Sequence, residues 1–167
     1  MIPLDNVYIL CTTLEGAPTQ IYHDAALRRF VLYHGATDTS ADEETGSGWS
    51  NDESGRLTKL WTTAVSLQPN AVLAGWKLST LVLPILVRRS MMLQVPVPEI
   101  YRTDPLTRYG TVRTIDTNRL YTQGVGFLPD TIYLEKVLKD WGIEVPEPAG
   151  PLELAKAQYE AIRRYLL

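Results

Sequence analysis

The run NVYILCTT, Asn6 to Thr13, restricts the fold of this chain more than any other stretch. It is rich in β-formers, and it lacks the apolar–polar alternation of a strand with one wet face. The run therefore reads as a central strand covered on both sides, and such a strand needs helices or another layer above and below it. A chain of 167 residues, 45% of them hydrophobic, is long enough to supply those layers within one domain, residues 1–167.

The segments that follow supply candidate layers. TQIYHDAALRRFVLYHG holds two β-rich pieces around a polar middle and predicts a hairpin from about Gln20 to His34, with a helical turn at AALRRF as the alternative. Residues 37–56, TDTSADEETGSGWSNDESGR, have no apolar periodicity and predict a mobile acidic loop anchored only by Trp49. Ser50 and Glu53 have capping-box spacing, and Leu57, Leu60, Trp61, Ala64 and Val65 share the face of a helix that should stop near Pro69.

AVLAGW, Ala71 to Trp76, is a short buried strand, and LPILVRRSMMLQ is a helix with Pro84 in its first turn. TVRTIDTNRLY gives a strand ending near Ile115, with Asp116 as the N-cap of the next helix. TIYLEKVLKDWGI predicts a helix closed by Gly142, and LELAKAQYEAIRRYLL a last one. Strands alternating with helices predict an α/β layer fold, in which a mixed central sheet with an antiparallel N-terminal hairpin and later parallel strands is flanked by helices.

Composition excludes several function classes. A net charge of -3 with 21% charged residues describes an ordinary surface and says little about partners. The longest apolar run, LSTLVLPILV, is too short to span a bilayer, and MIPLDN lacks the features of a signal peptide, so no membrane partner and a cytoplasmic location are expected. The single cysteine, Cys11, reads as a small core residue, and His23 and His34 read as surface or hairpin residues. Any metal chemistry would have to use carboxylates.

The order and local strings resemble the ribonuclease H-like fold of DEDD-type 3′–5′ exonucleases, especially the predicted exonucleases related to the proofreading domain of family B DNA polymerases. GWKLSTLVLP, Gly75 to Pro84, is similar to the family's second motif, roughly G-F-N-x-x-x-F-D-L-P. IDT, Ile115 to Thr117, resembles a later strand, YLEKVLKDWGI a helix reading L-x-x-L-x-x-x-x-G-I, and EAIRRY the run into a final Y-x-x-x-D. The resemblance covers about Asn51 to Leu167, and the first strand stands where the family has D-x-E.

That resemblance implies four acids holding two Mg or Mn ions, and here the acids are missing. Leu10 and Thr12 stand at the paired-acid positions, Lys77 at the Asn position and Val82 at the second-motif acid. Tyr165 matches the last motif's tyrosine, and its Asp would fall beyond Leu167. Two-metal phosphodiester cleavage needs carboxylates around ions ~4 Å apart, which leucine and valine cannot provide. Lys77 would oppose a nearby cation by ~4 kcal/mol for unit charges ~4 Å apart at an effective dielectric near 20.

The reading that follows is a catalytically inactive, exonuclease-like domain with no cofactor, acting by binding a nucleic-acid strand or a protein partner in a nucleic-acid-processing assembly. Two alternatives stay open. One is an active metal-dependent exonuclease with ligands from unaligned residues, such as Asp5 or Glu15, or from a partner chain. The other is an assembly module, including a homo-oligomer, with no nucleic-acid role. Tyr101, Arg102, Arg108, Tyr109, Arg113 and Arg119 interleave basic and aromatic groups in a pattern that suits a single strand, or else a solvated loop and strand edge. Arg88 and Arg89 suit a helix C-terminus.

Overall fold

The structure, a computed structural model, describes residues 4–15, 25–35, 52–67, 70–101, 113–122 and 133–165. Its sheet contains β1 (Val7–Glu15), β2 (Ala26–Tyr33), β3 (Val72–Gly75) and β4 (Arg113–Asp116) in the order β2-β1-β3-β4. β2 runs antiparallel to β1, whereas β1, β3 and β4 are parallel. The antiparallel partner of β2 is thus the first strand, through pairs such as Leu10 with Leu32 and Cys11 with Val31. AALRRF is extended and not a helical turn, and residues 20–24 of the expected hairpin lie outside the described residues.

Both faces of β1 are covered, as its unalternating sequence requires. Leu10 joins Leu32, Leu73 and the apolar faces of α1 (Glu53–Val65) and α2 (Leu83–Met92) in one core layer. Val7, Ile9 and Cys11 join Val31, Val72 and Ala74 against Ala155 and Ile162 of α5 (Pro151–Tyr165). α3 (Thr117–Thr122) follows β4, and α4 (Leu134–Asp140) leans on α5 through Leu134, Leu138, Ala157 and Ala161. Each fully buried Leu or Ile in these layers contributes roughly 1.5–3 kcal/mol over its exposed state.

Several local expectations change. α1 is capped by Asp52, whose Oδ1 accepts from Gly55 N at 2.7 Å; Ser50, the other half of the expected capping box, lies outside the described residues. Glu53–Arg56, read as the end of the acidic loop, are helical, and residues 37–51 lie outside the described residues. Glu53 serves packing rather than capping. Its carboxylate accepts from Arg89 Nε and Nη2 at 2.8 and 2.7 Å and from Leu27 N at 3.1 Å, while Arg56 donates to Leu27 O at 2.7 Å. One side chain thereby ties α1, α2 and β2, and Arg89, in the last turn of α2 as expected, also holds Glu53.

The buried face of α1 is Leu57, Leu60, Trp61 and Ala64, with Val65 turned to solvent. Gly142 closes α4 as expected. At φ +72° it donates to Lys139 O, and Ile143 donates to Leu138 O, which is a Schellman arrangement. His34 is buried and stacked on Tyr8, not on the surface, and His23 lies outside the described residues. Among the described residues, no helix is long and apolar enough to cross a membrane.

Candidate functional site

Three parallel strands end at one edge of the sheet, and in open α/β sheets ligands gather beyond such carboxyl ends. β1 pairs Ile9 with Ala74 of β3, and β3 pairs Gly75 with Asp116 of β4, so Leu10, Gly75 and Asp116 lie at the same level. A Cβ on Gly75 would sit 2.7 Å from the backbone oxygen of Leu10. No other residue fits that approach.

Beyond Gly75 the chain turns through Trp76 and Lys77. Lys77 adopts left-handed backbone geometry at φ +49°, which costs roughly 1–2 kcal/mol for a residue with a Cβ. Its N–H donates to Asn118 Oδ1 at 3.0 Å. A π-helical turn follows at Leu78–Val82, where Val82 N donates to Lys77 O and Leu83 N to Leu78 O, and it runs straight into α2. Val82 therefore lies one turn inside the helical segment rather than at the strand-to-helix junction the sequence suggested.

Asp116 belongs to this turn as well. Its Oδ1 accepts from Ser79 N at 2.9 Å and its Oδ2 from Ser79 Oγ at 2.7 Å. Asp116 is both the last residue of β4 and the residue directly before α3, where the expected N-cap stands, but its carboxylate satisfies the start of the neighbouring helical segment. A negative charge there also faces the favourable end of the helix dipole. Both carboxylate oxygens of this buried residue are thereby held by Ser79.

The structure brings together only some of the degenerate motif positions. Leu10 is 4% exposed and shares one apolar cluster with Leu78 and the half-buried Val82. Thr12, half-buried, is two residues on from Leu10 in the same strand and pairs with Phe30 of that cluster. Tyr165 ends α5, which covers the opposite face of the sheet. The strand residues that face α5 are Val7, Ile9 and Cys11, so a one-residue change in the alignment of β1 brings no carboxylate forward either.

Sequence reasoning missed a polar pair beside Cys11. Gln158 is fully buried in the apolar stripe of α5 between Ala155 and Ile162, and its Nε2 donates to Cys11 Sγ at 3.2 Å. Thr117 Oγ1 donates to Gln158 Oε1 at 2.8 Å. The available signal was a lone amide at i+3 from Ala155 and i-4 from Ile162. Burial pushes the Cys11 thiol up to about 12, only partly offset by the Gln158 bond, so it is neither a thiolate nucleophile nor a ready metal ligand at neutral pH.

Among the described residues, the donor set at this edge does not fit two hard cations. Such ions need several carboxylate oxygens, and among the described residues this edge offers the alkyl groups of Leu10 and Val82, the hydroxyl of Thr12 and the single carboxylate of Asp116, already engaged by Ser79. Among the described residues, no three His, Cys, Asp or Glu side chains stand close enough to hold a metal ion.

The interleaved basic and aromatic residues also divide. Tyr101 is 5% exposed, its ring lies 5.4 Å from that of Trp61 and its hydroxyl donates to Ala64 O at 3.2 Å. It is a core residue and cannot stack on a base. Burial pushes its hydroxyl up to about 12. Arg113 and Arg119 are exposed, on β4 and α3, while Arg102, Arg108 and Tyr109 lie outside the described residues. Tyr121 is half-buried and meets Trp141 edge-on at 6.1 Å.

No family model matches the chain, and no curated protein does. Solved structures do match. The family B DNA polymerase from the hyperthermophilic archaeon Pyrobaculum calidifontis superposes with a TM-score of 0.61 at 15% identity, over 96% of this chain and 22% of the polymerase chain. This chain thus spans less than a quarter of that polymerase's length. The likeness establishes the fold: a ribonuclease H-like mixed sheet flanked by helices, as the strand order shows.

Proposed function

We propose that this chain is an exonuclease-like domain without nuclease activity, which binds a single nucleic-acid strand at the carboxyl edge of its parallel strands. The observation that carries the reading is the β1–β3–β4 edge. Leu10 and Val82 occupy the acid positions with packed alkyl groups, and the carboxylate of Asp116 is engaged by Ser79. Apolar side chains there remove the mutual repulsion of clustered carboxylates, so the fold needs no metal to be stable. Arg119, exposed on the helix after β4, offers a phosphate contact next to that edge, and Arg113, exposed at the start of β4, offers a second one toward the strand's other end.

Fluorescence anisotropy with a labelled single strand across a salt series tests the binding. Replacing Arg113 and Arg119 with Ala should weaken binding and reduce the log–log salt slope by ~1.4, about 0.7 per lost phosphate contact. Equal binding by wild type and double variant would exclude this surface. No binding by either at low salt would shift the reading to a protein partner.

A further inference from the structure

The segment Gly142 to Ala149, which leads from α4 toward α5, encloses with one face of α4 an open groove of ≈ 1350 Å³. The groove rests on the core: its lining residue Ile143 belongs to the cluster of Leu134, Leu138, Ala157 and Ala161, and half-buried Val145 packs against the same cluster. Pro146 and Pro148 fix φ at two points of the wall, so it is held in shape before anything binds. Among the described residues, none of 144–149 forms a hydrogen bond, and this wall keeps main-chain donors and acceptors for a chain laid beside it. Small-molecule pockets hold roughly 300–1,000 Å³ and close around their ligand, so a larger, open groove of this kind suits an extended peptide.

The charges that line the groove select the peptide. Glu135, Glu144 and Glu147 stand against one cation, Lys139, and all four are exposed. Glu135 and Lys139 lie one turn apart on α4 without pairing, while Lys136 pairs with Asp140 instead; none of the four lining charges forms an ion pair or hydrogen bond among the described residues. The carboxylates do not converge, since among the described residues no three acidic, His or Cys side chains are close enough to share one ion. Cations spaced along a chain match carboxylates spaced along a groove. We propose that this groove holds an extended segment of a partner protein in which arginine or lysine alternates with apolar residues. Its cations meet Glu135, Glu144 and Glu147, and its apolar side chains, on the other side of the extended chain, lie on Ile143 and Val145. The proposal goes beyond the strand binding above and does not depend on it, because the same carboxylates repel a phosphate backbone.

Nuclear magnetic resonance titration of the full, isotope-labelled chain with a decapeptide of alternating arginine and valine tests it. The backbone amide signals of Glu144, Val145, Glu147 and Ala149 should shift as the peptide binds. Glu144→Gln with Glu147→Gln should weaken binding ~4-fold or more, about 2-fold for each lost exposed ion pair, at an unchanged melting temperature. Glu15→Gln with Glu99→Gln removes the same charge outside the groove and should change binding by less than ~2-fold, because salt screens distant charges. A peptide with serine in place of valine should bind ~5-fold or more weakly, since it loses the apolar contact. Strand binding is read separately by anisotropy, and its success or failure changes none of these outcomes. No shift at millimolar peptide, shifts centred on other residues, equal losses from the groove and control exchanges, or equal binding of the serine peptide would each overturn the proposal.

Discussion

Replacing Asp116 with Ala should destabilise the protein, and the sign of the change separates two accounts of this carboxylate. In the structure it receives two hydrogen bonds from Ser79, at 2.9 and 2.7 Å. Bonds to a charged acceptor contribute roughly 1.5–3 kcal/mol each, but Ser79 is exposed, so its freed N–H and hydroxyl pass to water and the low end of that range applies. The expected loss is about 2–3 kcal/mol, or about 5–10 °C in melting temperature for a domain of this size. Asp116→Asn, which keeps the shape and loses the charge, should cost about 1 kcal/mol. Urea denaturation of both variants, with Ser79→Ala and the double variant to close a thermodynamic cycle, would show a coupling of ~1 kcal/mol or more between the two positions. A carboxylate kept as part of a metal-binding cluster would behave oppositely, since without the ion its removal relieves repulsion. An Asp116→Ala protein as stable as wild type, or more stable, would refute the assignment of Asp116 as a structural clamp.

Glu53 predicts the acid response. Burial works to raise its pKa, but the Arg89 fork, the Leu27 N–H and the Arg89 and Arg56 charges outweigh burial and hold it below the usual carboxylate value. Its contribution is therefore full above the unfolded value of ~4.3 and is lost as pH falls through the lowered folded value. Arg89→Met should cost about 2 kcal/mol at neutral pH by leaving Glu53 partly buried and unpaired, and melts across an acid series should show a shallower pH dependence; an unchanged pH profile would count against the clamp. Val82→Asp should destabilise by about 1–3 kcal/mol, because it places a carboxylate against the Leu10 and Leu78 cluster, and should restore no cleavage of a labelled strand. Cleavage regained by that one exchange would mean that the remaining metal ligands are already in place.

The layer arrangement was legible because apolar pattern encodes it. NVYILCTT lacks alternation and lies between two helical layers, and the α1 stripe and the α4 cap at Gly142 follow rules local to a few residues. What was not legible depended on contacts far apart in the chain. Asp116 has the spacing of an N-cap, yet its partner Ser79 is 37 positions away on another element. Glu53 fits a capping box by spacing, but a competing bidentate bond to Arg89 on α2 takes its carboxylate. Tyr101 looked like a stacking platform within an arginine-rich segment, and only its place beside Trp61 shows it to be core. In β1, sequence showed which residues lie on alternate faces but not which face meets α5; neither Leu10 and Thr12 nor Ile9 and Cys11 carries an acid, so the functional reading does not depend on that choice.

The central claim, a nuclease-like fold without the means to cleave, is tested most directly by incubating the full chain with an end-labelled single strand in Mg²⁺ and then in Mn²⁺, with calorimetric Mn²⁺ titration of the same preparation. The account predicts an intact strand and no stoichiometric micromolar site. Stepwise shortening of the strand that depends on the added metal and increases with protein concentration through repeated purification, together with such a site, would contradict it.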